Sequence, residues 1–365
     1  MTESQLGSDV PEAGVAPLSE GDAIHAAPVA GPAVGTRTRN RSLGFRLGFP
    51  AVAAVGVIVA FLGDPYTLQL LGNALALGIW VMGLDYLVGY TGCVSFGHAA
   101  WLAVGAYASG YLFLQGWDVI TAGLAMIAIV AVLAAFMGAV ATRVGGLAFS
   151  IVTLAEGVVI YTVIFNLELI GGGVGLFGLP LPKIAGMELL SAEMSLYLFA
   201  LVLALLSYLG LRWLVRSPLG GFCQAVRDDE TRARSIGVEV QRHQILAFIA
   251  AAVVGGIGGM AFVVLNGGVN PTQATWSQSG LALVMLIIGG VGTLYGGMIG
   301  ALIYVLGQQY LISNFGNTWQ VYLGLLFVIL VLLPPGGIAG GLRVGFRKLF
   351  SASRRRKQEP DRSAA

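Results

Sequence analysis

Charge is what this sequence lacks first. Only 10% of its 365 residues are Asp, Glu, Lys or Arg, against 56% hydrophobic. A soluble domain carries about 25% charged residues. Too few polar side chains remain to cover a water-facing surface, which excludes an ordinary soluble fold. Lysine is scarcer still: Lys183 follows Pro182, Lys348 follows Arg347 and Lys357 follows Arg356. A phosphate-binding loop needs Gly-Lys followed by Ser or Thr, so no such motif is present. The two cysteines, Cys93 and Cys223, fall in segments of different kinds, which argues against a disulfide framework. There is no His-Glu-x-x-His, no Gly-x-Ser-x-Gly and no second His or Cys at metal-ligand spacing from His98. No catalytic residue and no metal site are therefore expected. A net charge of +2 is too small to suggest a nucleic-acid partner.

What the chain has is long apolar runs and 54 glycines, a composition suited to close helix packing in a bilayer. A membrane helix needs about 20 apolar residues. Such runs lie at about 47–63, 66–90, 94–116, 119–141, 147–166, 195–215 and 245–266, with a long one at 278–311 and a last at 319–341. The sequence GGVGTLYGG at 289–297 breaks the long run as a tight turn, which gives ten spans. Residues 1–45 read as a disordered tail that becomes basic at Arg37, Arg39 and Arg41 and does not begin like a signal peptide. Residues 46–341 form the membrane domain, and 342–365 a second basic tail.

Cytoplasmic loops are rich in Lys and Arg. Ten spans with both termini cytoplasmic put every basic residue except Lys183 inside, and Asp64, Asp118, Glu168, Glu188 and Glu193 outside. Nine spans would turn the basic tail outward. The expectation is an all-α integral membrane protein of about ten transmembrane helices, both termini cytoplasmic. LVGYTGCVSFG at 87–97 also echoes IIGGVGTLYGG at 287–297, a hint of the internal repeats common in transporters.

The cytoplasmic loop 216–244 carries the clearest local pattern. Ser217 is placed to cap a helix, Pro218 fits its first position and Gly237 can end it. Apolar residues recur at Leu219, Phe222, Val226, Ala233 and Ile236, near helical spacing. Asp228 and Glu230 stand four residues before Arg232 and Arg234. A helix with one apolar stripe and a polar face of both signs points to a protein partner rather than to anionic lipid.

Ser217-Pro218-Leu219-Gly220, Ala225-Val226-Arg227-Asp228-Asp229-Glu230 and Ala233-Arg234-Ser235-Ile236-Gly237 resemble the coupling loop of permease subunits of the branched-chain amino-acid ABC importers. The resemblance covers most of 66–341. It includes GCVSFGHAA within 87–112, VTLAEGVVIY at 152–161, GGGVGLFGLP at 171–180 and MLIIGGVGTLYGGMIGALI at 285–303, all in family order. Departures are Gly221 and Phe222, where the family usually has a basic residue nearby, and Ile170, where it often has Thr.

The resemblance implies a transport subunit without its own ATPase site, in the plasma (inner) membrane of a prokaryotic cell. Its partners would be ATP-binding-cassette ATPases that bind the ATP, a second membrane permease and an extracytoplasmic solute-binding protein, and no cofactor would belong to this chain. The ATPase-coupling residues would be Leu219, Phe222, Val226, Arg227, Asp228, Glu230 and Gly237. The solute would be a branched-chain or other hydrophobic amino acid, with urea or short amides as the alternative; an ion-coupled secondary carrier is the alternative of a different class.

Polar residues inside apolar runs are expensive and mark function. Glu156 follows Thr153 by three residues on one helical face, and Ser95 and His98 flank the start of the third span. These four are the translocation-pathway candidates. Asp85, Asn73 and Asn166 are either pathway or packing residues, and the glycines at 171–173 and 175 give an outer loop its backbone freedom.

Overall fold

A computed structural model describes residues 56–183 and 193–332, with backbone alone at 317 and 326–332. The terminal tails expected at 1–45 and 342–365, the start of the first apolar run, the end of the last and Glu188 lie outside the described residues.

The described chain is mainly helical, with one two-residue strand pair. A first helix, α1, covers 56–62. It is followed by α2 (Pro65–Thr91), α3 (Ala99–Leu114), α4 (Val119–Ala141), α5 (Leu147–Asn166) and α6 (Glu193–Arg216). Two short helices, α7 (Pro218–Asp228) and α8 (Glu230–Ser235), precede α9 (Val240–Asn266), α10 (Trp276–Gly289), α11 (Tyr295–Phe315) and α12 (Trp319–Leu332). Five of these, α2, α4, α5, α6 and α9, are long and apolar enough to cross a membrane. The strands β1 (Leu176–Phe177) and β2 (Gly268–Val269) pair antiparallel.

Local chemistry sets the helix ends. Asp64 caps α2, accepting from the Thr67 amide at 3.3 Å and its hydroxyl at 2.6 Å, with Pro65 in the first turn. The Thr67 hydroxyl holds the exposed Asp64 carboxyl below its ordinary value, so the ionised cap survives at neutral pH and is lost as pH falls through that lowered value. At the far end Gly92 takes a left-handed φ of 76°, and Gly267 does the same after α9 at 63°.

The centre is α2 lying antiparallel on α9. Gly72 sits beside Leu265, Gly258 beside Ala76 and Trp80, and Gly83 beside Ala251. Asn266 closes the pair by donating to Asn73 at 2.7 Å. Small residues let these backbones approach where side chains would hold them apart. Helix α3 then packs parallel to α9, again on glycine, with Gly105 against Gly256 and Gly259 against Leu102. By contrast α4 and α5 present apolar side chains outward: Phe136 is 71% exposed and Ile151 62%, as expected of surfaces that face lipid or another subunit.

The chain repeats itself upside down. Helix α9 has the 27 residues of α2 and begins and ends 175 residues later. Each ends in a left-handed glycine, and each is followed by a stretch without α-helix, 92–98 or 267–275 (the second with one 3-10 turn at Pro271–Ala274), and then a short apolar helix, α3 or α10. The first stretch doubles back along α2: Trp80 Nε1 donates to the His98 carbonyl at 3.0 Å, eleven residues or about 16 Å above Thr91. The second doubles back from the opposite end, and the two short helices meet where the Ala99 amide donates to Ser279 Oγ at 2.9 Å. This corrects the echo read between 87–97 and 287–297. Those segments join α2 to α3 and α10 to α11, which are not equivalent connections; abundant glycine produced the likeness. It also shortens the third span, since 94–98 is not helical.

A substitution pair tests the glycine packing. A Cβ on Gly105 would run into the Gly256 backbone, whereas one on Gly210 meets nothing within 4 Å. Gly105→Ala should destabilise the protein by about 1–3 kcal/mol and lower its thermal midpoint in detergent. Gly210→Ala should leave the midpoint unchanged or raise it, because Ala favours helix by about 1 kcal/mol.

Candidate functional site

Three of the four pathway candidates meet in one cleft between the 92–98 stretch, α5 and α9. Its lining includes Ser95, Gly97, Trp101, Thr153, Glu156 and Phe248, packed so closely that no room for a water molecule is left between them. Ser95 and Thr153 are buried. Three contacts hold α5 against the stretch: Ser150 Oγ donates to the Val94 carbonyl at 2.7 Å, the Phe96 amide donates to Thr153 Oγ1 at 3.2 Å, and Gly97 abuts Thr153 and Gly157 backbone to backbone. Of the pathway candidates Thr153 thus takes part in closing the cleft, together with Ser150. Both Glu156 carboxylate oxygens are buried without a hydrogen-bond partner.

His98, the fourth candidate, sits outside this cleft. Its ring is fully buried and stacks on Trp80 at an interplanar angle of 6°, with Nε2 3.3 Å from the Trp80 carbonyl. It fastens the returning stretch to α2. Asn73 joins α2 to α9, and Asn166 donates to the Thr162 carbonyl at 2.8 Å within its own helix.

Asp85 is fully buried and receives three successive amides of the turn between α10 and α11: Gly292 at 2.5 Å, Thr293 at 3.1 Å and Leu294 at 2.6 Å. Leu294 is the one described non-glycine residue with positive φ, 61° with ψ −52°, close to the rare and strained γ-turn. The carboxylate holds that turn in place. Tyr90 Oη donates to the Gly292 carbonyl at 3.2 Å, and Arg227 reaches from α7 to donate to the Gly89 carbonyl at the end of α2. The loop helix, the end of α2 and the α10–α11 turn therefore form one bonded unit.

The loop expected as a single helix is two. The break is at Asp229, whose extended backbone ends α7 and whose side chain caps α8 through the Arg232 amide at 2.9 Å. Pro218 holds the first position as expected, but Ser217 makes no cap bond and donates to the Leu214 carbonyl at 2.6 Å instead. Arg232 pairs with Asp229 at 3.3 Å rather than with Asp228, while Glu230 pairs with Arg234 at 2.6 Å as expected. Gly237 ends α8 at φ 84°, with bonds from Gly237 to Arg234 and from Val238 to Ala233.

The break also resets the stripe. Val226 and Ala233 turn inward and pack with Val240. Ile236 is 74% exposed, Phe222 is 42% exposed and leans on His243, and Leu219 is half-buried. Burial pushes the Cys223 thiol of α7 up to about 11.

Residues 66–333 match the family described as branched-chain amino acid transport system / permease component. The chain belongs to this family. It is 29% identical over 285 residues to the high-affinity branched-chain amino acid transport system permease protein LivM of Escherichia coli, covering 70% of this chain and 66% of that protein. A probable LivM of Methanocaldococcus jannaschii is 24% identical over 323 residues, covering 71% of this chain and 91% of its own length. The LivH permease of Escherichia coli is 27% identical over 140 residues, or 37% of this chain and 44% of that protein. The chain thus spans about two thirds of the Escherichia coli LivM that it matches. No solved structure matches it significantly.

For this member of the permease family, the residue whose role sequence reasoning missed is Asp85. Its depth marked it for attention, but its partners lie more than 200 positions away. Asp85→Asn keeps the size and offers an N–H group toward backbone amides that need an acceptor. Hydrogen bonds to charged groups contribute about 1.5–3 kcal/mol each, so this variant should unfold at clearly lower temperature than wild type. An unchanged midpoint would show that the clamp carries no stability.

Proposed function

We propose that this chain is one membrane-spanning subunit of an ATP-driven importer for branched-chain or other hydrophobic amino acids, with ATP hydrolysed by separate ATPase subunits on the side of α7 and α8. The family match over 66–333 carries the reading. A second permease subunit completes the pathway, and an extracytoplasmic binding protein delivers the solute.

The distribution of charge supports ten spans with both termini cytoplasmic. Among the described residues, Arg212, Arg216, Arg227, Arg232, Arg234 and Arg242 lie in or beside the α6–α9 loop. Arg143 lies in the α4–α5 turn, where Gly145 neighbours Glu230 of α8. Lys183 is at the other end, its carbonyl bonded to the Val119 amide beside Asp118. An excess of Arg at one end marks the cytoplasmic side.

On that side Phe222, Ile236 and the half-buried Leu219 offer the apolar contact for the ATPase. Val226 is turned into the chain, and Arg227 is bonded to α2. Asp228, Glu230 and Gly237 shape the two-helix loop that presents them. Movement imposed on α7 would reach the α10–α11 turn through Arg227, Gly89 and Asp85.

The direct test is reconstitution with the partner subunits in proteoliposomes. Leucine should enter only with ATP and the binding protein present, and transport without ATP would refute the reading. Replacing both Phe222 and Ile236 with Asp should abolish co-purification of the ATPase while the chain still inserts in the membrane, because a buried unpaired carboxylate costs several kcal/mol at an interface. Wild-type retention of the ATPase would place the coupling contact elsewhere.

A further inference from the structure

We infer that Glu156 is the seat for the ammonium group of the passing solute, and so the residue that makes the pathway favour a zwitterion with an apolar side chain over a neutral amide. The inference rests on the importer reading above and assigns a ligand chemistry to its cleft.

Both Glu156 oxygens are buried and unbonded. A carboxylate out of water without a partner is costly, and the ways in which the fold could satisfy it are closed. The amides at the start of α3, the nearest helix terminus, are already engaged: Ala99 donates to Ser279, Ala100 to the Gly97 carbonyl and Trp101 to the His98 carbonyl. The Thr153 hydroxyl donates to the Ser150 carbonyl at 3.0 Å. Among the described residues no cation pairs with Glu156.

The outward surface of α5 carries Ile151, Val158, Val159 and Val163. The Glu156 oxygens are shielded from that surface, and Glu156 lines the cleft with Ser95, Gly97 and Thr153.

The remaining walls say what a group entering the cleft carries. Trp101, Ile160 and Phe248 supply apolar surface beside the single acid. A small cation attached to an apolar body satisfies both, whereas a neutral amide leaves the carboxylate unpaired. In the described state the latch contacts of Ser150 and Thr153 and the abutting Gly97 and Gly157 close the cleft. The seat becomes available when α5 parts from the 92–98 stretch.

The test uses the whole reconstituted importer with Glu156→Gln and Glu156→Asp. Leucine uptake and binding-protein-stimulated ATP hydrolysis are measured on the same vesicles. Glu156→Gln should lower uptake at least tenfold while stimulated hydrolysis stays within twofold of wild type, and Glu156→Asp should recover part of the uptake. Uptake by Glu156→Gln within twofold of wild type overturns the inference. So does a proportional loss of uptake and hydrolysis, which would mark a structural role.

If Glu156→Gln does not assemble, Ile160→Cys, which keeps the carboxylate and lines the same cleft, decides the matter in a chain with Cys93→Ser and Cys223→Ser. Leucine should slow its modification by a cationic methanethiosulfonate during turnover, and absence of protection overturns the inference. A wild-type importer that moves urea or acetamide but no leucine would instead overturn the importer reading on which this one stands.

Discussion

Helices α2 and α9 touch backbone to backbone through Gly83 and Gly258, with Gly72 seating the Leu265 side chain, and the rest of the domain is arranged around that contact. In lipid, apolar side chains gain little by leaving the solvent, so association rests on close packing and on hydrogen bonds between helices. Glycine allows the approach, and Asn266 with Asn73 fixes the register at one end. With two 27-residue helices locked antiparallel, the stretches that follow them must enter the domain from opposite ends. That places the starts of α3 and α10 together in its interior. Non-helical backbone at such depth is tolerated only where protein surrounds it; here Trp80, Ser150, Thr153 and Ser279 supply its hydrogen bonds.

The same arrangement explains why one carboxylate is satisfied and the other is not. Asp85 lies where α2 passes a turn, and a turn offers free amides in succession. Glu156 lies where α5 passes the start of α3, whose amides are already bonded. Two acids at comparable depth therefore play different parts: one fixes the frame on the side of the loop helices, and the other stands unpaired in the cleft.

Much of this was legible in the sequence. The runs at 119–141 and 147–166 coincide with α4 and α5, because polar or glycine-rich turns bound them sharply. The break at 289–297 was legible for the same reason, as was the pairing of Thr153 with Glu156 on one helical face. The run at 94–116 hid its non-helical start, since hydropathy reports burial and not backbone shape. The stripe on the cytoplasmic loop was misphased because Asp229 interrupts the helix; Val226 and Ile236 then face opposite ways, although their spacing fits one face of an unbroken helix. The inverted repeat was illegible, for its two copies share lengths and glycine caps more than side chains.

The Asp85 clamp also orders events during synthesis. Its partners follow 207 to 209 positions later in the chain. At about 5–20 residues per second this leaves a naked carboxylate in a nascent membrane segment for roughly 10–40 seconds. Over that interval α2 holds a carboxylate without its amide partners, and a chain truncated before the α10–α11 turn never acquires them.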